Sequence, residues 1–104
     1  MDTLQKPAST ETVCALCGRE GDLTVHHLIP KSRHNKPRMR RLYDRKFMRE
    51  HTALICQPCH KHLHKVLTEQ ELGEDYNEVE KLVSHPDVAR FTEWIRTKPA
   101  GWRP

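Results

Sequence analysis

Two Cys-x-x-Cys pairs, Cys14/Cys17 and Cys56/Cys59, constrain this chain more than any other feature. Each pair presents two thiols from a tight turn. Four thiolates complete a closed tetrahedral zinc shell, which is the form of a structural site. Redox disulfides or a reactive dithiol are the alternatives, and both leave the matched spacing of the two pairs unexplained. The composition also asks for a staple. The 104 residues leave room for a single domain, and 36% of them are apolar, 6% aromatic and 31% charged, with a mean hydropathy of −0.83. A core this small needs a metal, disulfides or an interface as a second source of stability. No apolar run exceeds five residues, against about 20 residues for a bilayer-spanning helix. The opening Met1 to Thr10 lacks the apolar stretch of a secretory signal. A cytoplasmic setting is therefore expected, where paired thiols hold metal more often than they form disulfides.

The spacer between the pairs, Gly18 to Ile55, is longer than in simple zinc ribbons, so the knuckles bracket an inserted substructure. Residues 1–11 carry no periodicity and are expected as a disordered leader, with 12–104 as one domain. Cys14 to Gly18 and Gly21-Asp22 are turn signals. Leu23, Val25 and His27 alternate with Thr24 and His26, which predicts a short strand that ends before Pro30. Thr52 to Ile55 predicts a second strand, and Pro58 seeds a helix that continues through Leu67. Thr68-x-x-Glu71 and Asn77-x-x-Glu80 both read as capping boxes with Gly73 between them, predicting two short helices. Pro86 opens a third, with Val88, Phe91 and Ile95 at helical spacing and Trp94 beside them, and it stops before Pro99. The class is α+β, with a zinc-stapled core over about 14–67 and a helical part over 68–98. Lys31 to Glu50 has no clean period, and Leu42, Phe47 and Met48 are its expected anchors.

The net charge of +4 says less than its distribution. Lys31, Arg33, Lys36, Arg38, Arg40, Arg41, Arg45, Lys46 and Arg49 face one acid, Asp44, whereas residues 65–104 carry more acids than bases. Such a cluster is aimed at a polyanion, and nucleic acid leads. A solvated basic loop or a nuclear-import signal are the other readings.

Seven of the eight histidines fall between residues 26 and 64, and a four-cysteine zinc site needs none of them. His26 and His27 are adjacent on a strand and point to opposite faces unless a bulge intervenes. His60 and His64 share a helix face. One strand histidine and the two helix histidines would converge on a second metal, in a three-ligand shell with open positions, which describes a catalytic site. His34, His62 and His85 are expected at the surface or in packing.

The order Cys14-x-x-Cys17, Val25-His26-His27-Leu28-Ile29-Pro30, Cys56-x-x-Cys59-His60-x-x-x-His64 resembles the zinc-containing branch of the HNH endonucleases, whose ββα-metal site lies between two cysteine pairs. The match covers residues 14–64, and Leu72 to Trp94 also looks like small stand-alone bacterial members. The resemblance implies a metal-dependent endonuclease acting on DNA. It makes His27 the general base and His26, His60 and His64 the ligands of the catalytic metal, apart from the structural zinc on Cys14, Cys17, Cys56 and Cys59. The family's middle residue is usually asparagine, five positions before the third cysteine. His51 stands there, expected to bond His27, to cap the hairpin or to add a metal contact.

Phosphodiester hydrolysis needs an activated water, a cation at the scissile phosphate and a grip on the polyanion. A neutral imidazole such as His27 accepts a proton near pH 7. Lys31, Arg33, Lys36, Arg38, Arg40, Arg41 and Arg45 are the expected phosphate contacts. An all-nitrogen shell suits Mn²⁺, Ni²⁺, Co²⁺ or Zn²⁺ better than Mg²⁺. A zinc-stapled nucleic-acid-binding module without catalysis is the alternative, and a third reading is an interaction protein that kept the fold and lost activity through His51. The histidine surplus favours the enzyme.

Overall fold

A computed structural model describes residues 13–21 and 23–104; the expected leader at 1–11, and Asp22 of the second turn, lie outside the described residues. The architecture is small mixed α+β, with one two-stranded antiparallel sheet and six α-helices among the described residues. Strand β1 (Leu23–His27) pairs with β2 (Thr52–Cys56) in continuous register from Leu23↔Cys56 to His27↔Thr52. No bulge interrupts the ladder, so His26 and His27 face opposite sides as their parity demands. The second strand runs straight into helix α3 (Gln57–Val66), with Cys56 as N-cap and a proline in the first turn, where its missing N–H has no cost.

Between the strands the chain is helical where the sequence showed no period. A 3-10 turn (Lys31–Arg33) precedes α1 (Pro37–Leu42) and α2 (Arg45–Glu50), the latter capped by Asp44, whose carboxylate accepts from Phe47 N–H at 2.7 Å. These helices are under two turns long and bury one residue each, too few for a period to register. Met39 and Met48 pack with Ile29 and half-buried Tyr43 in a small satellite core. Met48 is an anchor as expected, but Leu42 and Phe47 are not, at 58% and 40% exposed.

The main core joins the four cysteines to Leu16, Leu28, Ile55, Leu63, Leu67, Leu72, Leu82, Val88 and Ile95. Three further helices follow, α4 (Glu69–Glu74), α5 (Val79–Ser84) and α6 (Pro86–Ile95); α6 packs on α3, α5 on α6, and α4 against the 3-10 turn. The Thr68 capping box forms in full, with Glu71 N–H on Thr68 Oγ1 at 3.1 Å and Thr68 N–H on Glu71 Oε1 at 2.8 Å. The one expected at Asn77 does not form. Helix α5 is capped at Glu78 without a side-chain bond, and the buried Asn77 amide donates inward to Gly73 O at 2.9 Å and Tyr43 Oη at 3.2 Å. Leaving a buried carbonyl unpaired would cost more than one helix cap contributes. Gly73 is not a separator either, since it lies inside α4. A Cβ there would stand 3.2 Å from Arg33 Cγ, so glycine admits the arginine stem. Helix α6 begins and ends as expected, with His85 Nδ1 accepting from Asp87 N–H at 3.1 Å. No helix among the described residues is long and apolar enough to cross a membrane.

The C-terminal segment returns to the first knuckle. Arg19 Nη1 donates to Pro99 O at 2.6 Å and Arg96 Nε to Cys17 O at 3.1 Å.

Candidate metal centres and the histidine cleft

The first knuckle is a turn closed by Gly18 N–H on Cys14 O at 2.9 Å, with Gly18 at φ 84°, a left-handed conformation that favours glycine. Leu16 and Cys17 N–H groups both point at Cys14 Sγ at 3.4 Å. The second knuckle is the first turn of α3. All four cysteines are buried and reduced, their sulfurs lie within 4.8 Å of one another, and the cluster fits a zinc site.

The electrostatics agree. Hydrogen bonds from Cys56 and then Cys59 pull the Cys14 thiol far below its ordinary range, whereas the bond to Cys14 pushes Cys59 far up, and burial raises Cys17. One thiolate is thus held by its neighbours' S–H groups, and ionising all four requires a cation among them. Arg19, only 7% exposed, sets Nη2 3.7 Å from Cys56 Sγ.

The second cluster is built from β1 and α3. His26 projects from the sheet onto the helix face that carries His60 and His64. The ring centroids form a triangle of 5.2 Å (His26–His60), 5.7 Å (His26–His64) and 5.1 Å (His60–His64), and one nitrogen from each ring lies within 4.8 Å of the others. His26 is 1% exposed and its buried Nε2 has no hydrogen-bond partner. Burial first, then His60, His64 and His27, lower its pKa to about 3, so the ring is neutral and keeps a lone pair.

Thr24 Oγ1 donates to Ile55 O at 2.9 Å and lies 2.8 Å from His60 Nδ1. A hydroxyl has one proton. With that proton on the carbonyl, His60 must donate through Nδ1–H, which leaves its Nε2 lone pair unoccupied. The sequence reading missed Thr24, although its parity with His26 on the strand was visible.

The trio borders a cleft of about 230 Å³ that also touches His27, Lys31 and Glu69. His27 is half-buried on the other side of the strand, 6.3 Å from the ring of His34. Burial, then Lys31 and His34, lower its pKa, so it too is neutral at pH 7. His34 Nε2 bonds Ile29 O at 2.7 Å, a packing role. Glu69, which also receives the Ser32 hydroxyl, is the carboxylate the sequence reading did not place here.

His51 is not among the residues that line the cleft. Its ring stacks on Phe47 at 4.7 Å, and Nε2 donates to Asn77 O at 2.8 Å with Glu78 Oε2 at 3.2 Å. Its backbone carbonyl, however, accepts Leu28 N–H at 3.0 Å and braces the residue after His27.

Among the cations, Lys31 reaches the cleft, and Lys36, Arg38, Arg40, Arg41, Arg45, Lys46 and Arg49 are exposed without an ion pair to another described residue. Arg33 is committed to Glu74 Oε2 at 3.7 Å. His62 stacks on Phe91 and His85 caps α6, as packing residues.

No family profile matches the chain, and no solved structure does. The chain is 41% identical over 88 residues to a Bacillus subtilis (strain 168) protein named uncharacterized protein YisB, in an alignment that spans 84% of this chain and 76% of that protein. At that identity and coverage, the chain belongs to the same family as YisB.

Proposed function

We propose that the chain is a metal-dependent endonuclease of the HNH type that hydrolyses DNA phosphodiester bonds, with a catalytic metal on the histidine trio and a structural zinc on the cysteines. The observation that carries this reading is the buried, unpartnered Nε2 of His26 beside His60 and His64. An orphaned polar atom in the interior is costly unless a ligand completes it. His26, His60 and His64 would hold a divalent ion through nitrogen alone, a set that suits Mn²⁺, Ni²⁺, Co²⁺ or Zn²⁺ better than Mg²⁺. Such an ion, when bound, supplies positive charge to the scissile phosphate and its leaving oxygen.

The chain's own groups meet the other requirements. His27, outside the trio and at the cleft wall, takes the proton of the attacking water on a ring nitrogen while the water oxygen bonds to phosphorus and the bond to the leaving oxygen breaks. Lys31 holds a phosphate oxygen at the rim. Lys36, Arg38, Arg40, Arg41 and Arg45 contact the flanking phosphates from α1, α2 and their junctions. His51 acts as a positioning residue through the carbonyl that holds Leu28. A cytoplasmic setting would keep the thiols reduced for zinc.

The test is nicking of supercoiled plasmid with each added divalent metal, beside His27→Ala. The wild type is expected to nick, and His27→Ala to lose roughly 10²-fold or more in rate while it still binds DNA and metal. A wild type that binds DNA but fails to nick it with any of the metals is a binding module.

A further inference from the structure

Helix α3 carries more than the two histidines. Gln57, Lys61 and Lys65 form a second row on it, four residues apart and roughly a quarter turn from the His60–His64 row. Beside this row lies a cavity of about 350 Å³, bordered by Lys61, Lys65, Arg103, His62 and Phe91. That volume is in the range of ligand pockets. Its aromatic wall is already ordered, since the Phe91 and His62 rings stack at 4.1 Å with an 8° interplanar angle and Phe91 packs on the main core. Lys61 and Lys65 are exposed and form no ion pair with another described residue, while Asp87, the acid that acts on His62, is paired with Arg90 at 2.7 Å. Neither the zinc cluster nor the histidine cleft uses any of these side chains.

We propose that this cavity is a nucleotide subsite for single-stranded DNA, with an unpaired base against the Phe91–His62 stack and its phosphates on Lys61 and Lys65. Flat aromatic surface beside a row of cations is how proteins hold single strands without reading sequence. A simple anion would leave the aromatic wall without a purpose, and an apolar peptide would leave the lysines without one. In a duplex both faces of each base are stacked, so only an unpaired or extruded nucleotide offers a face to the wall. Where the strand goes next rests on the nuclease reading: the two rows lie within one helix diameter, on the order of 10 Å, so a strand leaving the cavity reaches the histidine cleft within a few nucleotides. Binding in the cavity does not require cleavage.

The experiment uses the zinc-loaded full chain, without added divalent metal, and a single-stranded oligonucleotide with 2-aminopurine moved along it one position at a time. Wild type should quench the probe at one or two positions. In Phe91→Leu the quench should vanish and affinity fall roughly 5- to 150-fold, the range that loss of one base–aromatic stack corresponds to. In Lys61→Gln/Lys65→Gln, two exposed positions, the slope of log affinity against log salt should be shallower by about 1.4, two single-strand contacts at about 0.7 each. Wild-type affinity and slope in the lysine variant overturn the proposal, as does a wild type that binds duplex and no single strand. A chain that binds single strands this way yet nicks no plasmid upholds the cavity and refutes the nuclease. An active nuclease indifferent to both variants does the reverse.

Discussion

Replacing Thr24 with valine removes one oxygen from β1 and keeps the branched side chain that suits a strand. That oxygen holds the Ile55 carbonyl at 2.9 Å and the His60 ring at 2.8 Å, and the single hydroxyl proton is given to the carbonyl. His60 therefore carries its proton on Nδ1 and aims a bare Nε2 at the trio. Without Thr24 the ring loses a hydrogen bond of about 0.5–1.5 kcal/mol and is free to shift its proton to Nε2, where it blocks ligation. Substitutions one shell out from a metal weaken binding roughly 10- to 100-fold. The lower end, about tenfold or 1.4 kcal/mol, is expected here, because His60 stays packed between His26 and His64 at 5.2 and 5.1 Å. Calorimetric titration of the zinc-loaded protein with Ni²⁺ measures this, and Thr24→Ser, which restores the hydroxyl, should bind within about twofold of wild type. If Thr24→Val binds nickel as tightly as wild type, the hydroxyl does not set the tautomer and the donor set is misassigned.

Stripping zinc from the four cysteines should abolish the cooperative melt, since the main core is built around them; an unchanged melt would refute this. Arg38→Gln/Arg40→Gln/Arg41→Gln should flatten the salt dependence of duplex binding by about 2.7 in log–log slope, at about 0.9 per phosphate contact, and an unaltered slope would remove these arginines from the docking surface. Nicking by wild type should be faster with Ni²⁺ or Mn²⁺ than with Mg²⁺, and His26→Asp should raise the magnesium rate relative to nickel by adding a hard oxygen ligand. Should wild type run best on magnesium, the nitrogen-only shell is wrong, and Glu69, which borders the same cleft, is the carboxylate to test.

The elements that sequence made legible are those whose signals are local. The alternation at Leu23–His27, the proline in the first turn of α3 and the Thr68 box each depend on a few neighbouring residues, and each appears where expected. The histidine trio was legible for the same reason, because i,i+4 spacing on a helix fixes a shared face. Asn77 was misread since its signal is identical to a cap, and only the position of Gly73 and Tyr43 decides where its amide goes. Leu42 and Phe47 were misread because apolar character does not tell which residue of a two-turn helix meets the core. Arg19 carried no local signal, as its partners are a sulfur and a carbonyl far along the chain.

That separation orders events during synthesis. Arg19 waits for Pro99, and Cys17 O for Arg96, partners 80 and 79 positions downstream. At roughly 5–20 residues per second, the first knuckle exists for several seconds before either brace has been made. All four cysteines precede Arg96 and Pro99 in the chain, so the thiols are made before the segment that shuts over them. A metal taken up by these thiols during synthesis would therefore meet a site open on the Arg19 side, which closes only when the segment carrying Arg96 and Pro99 docks.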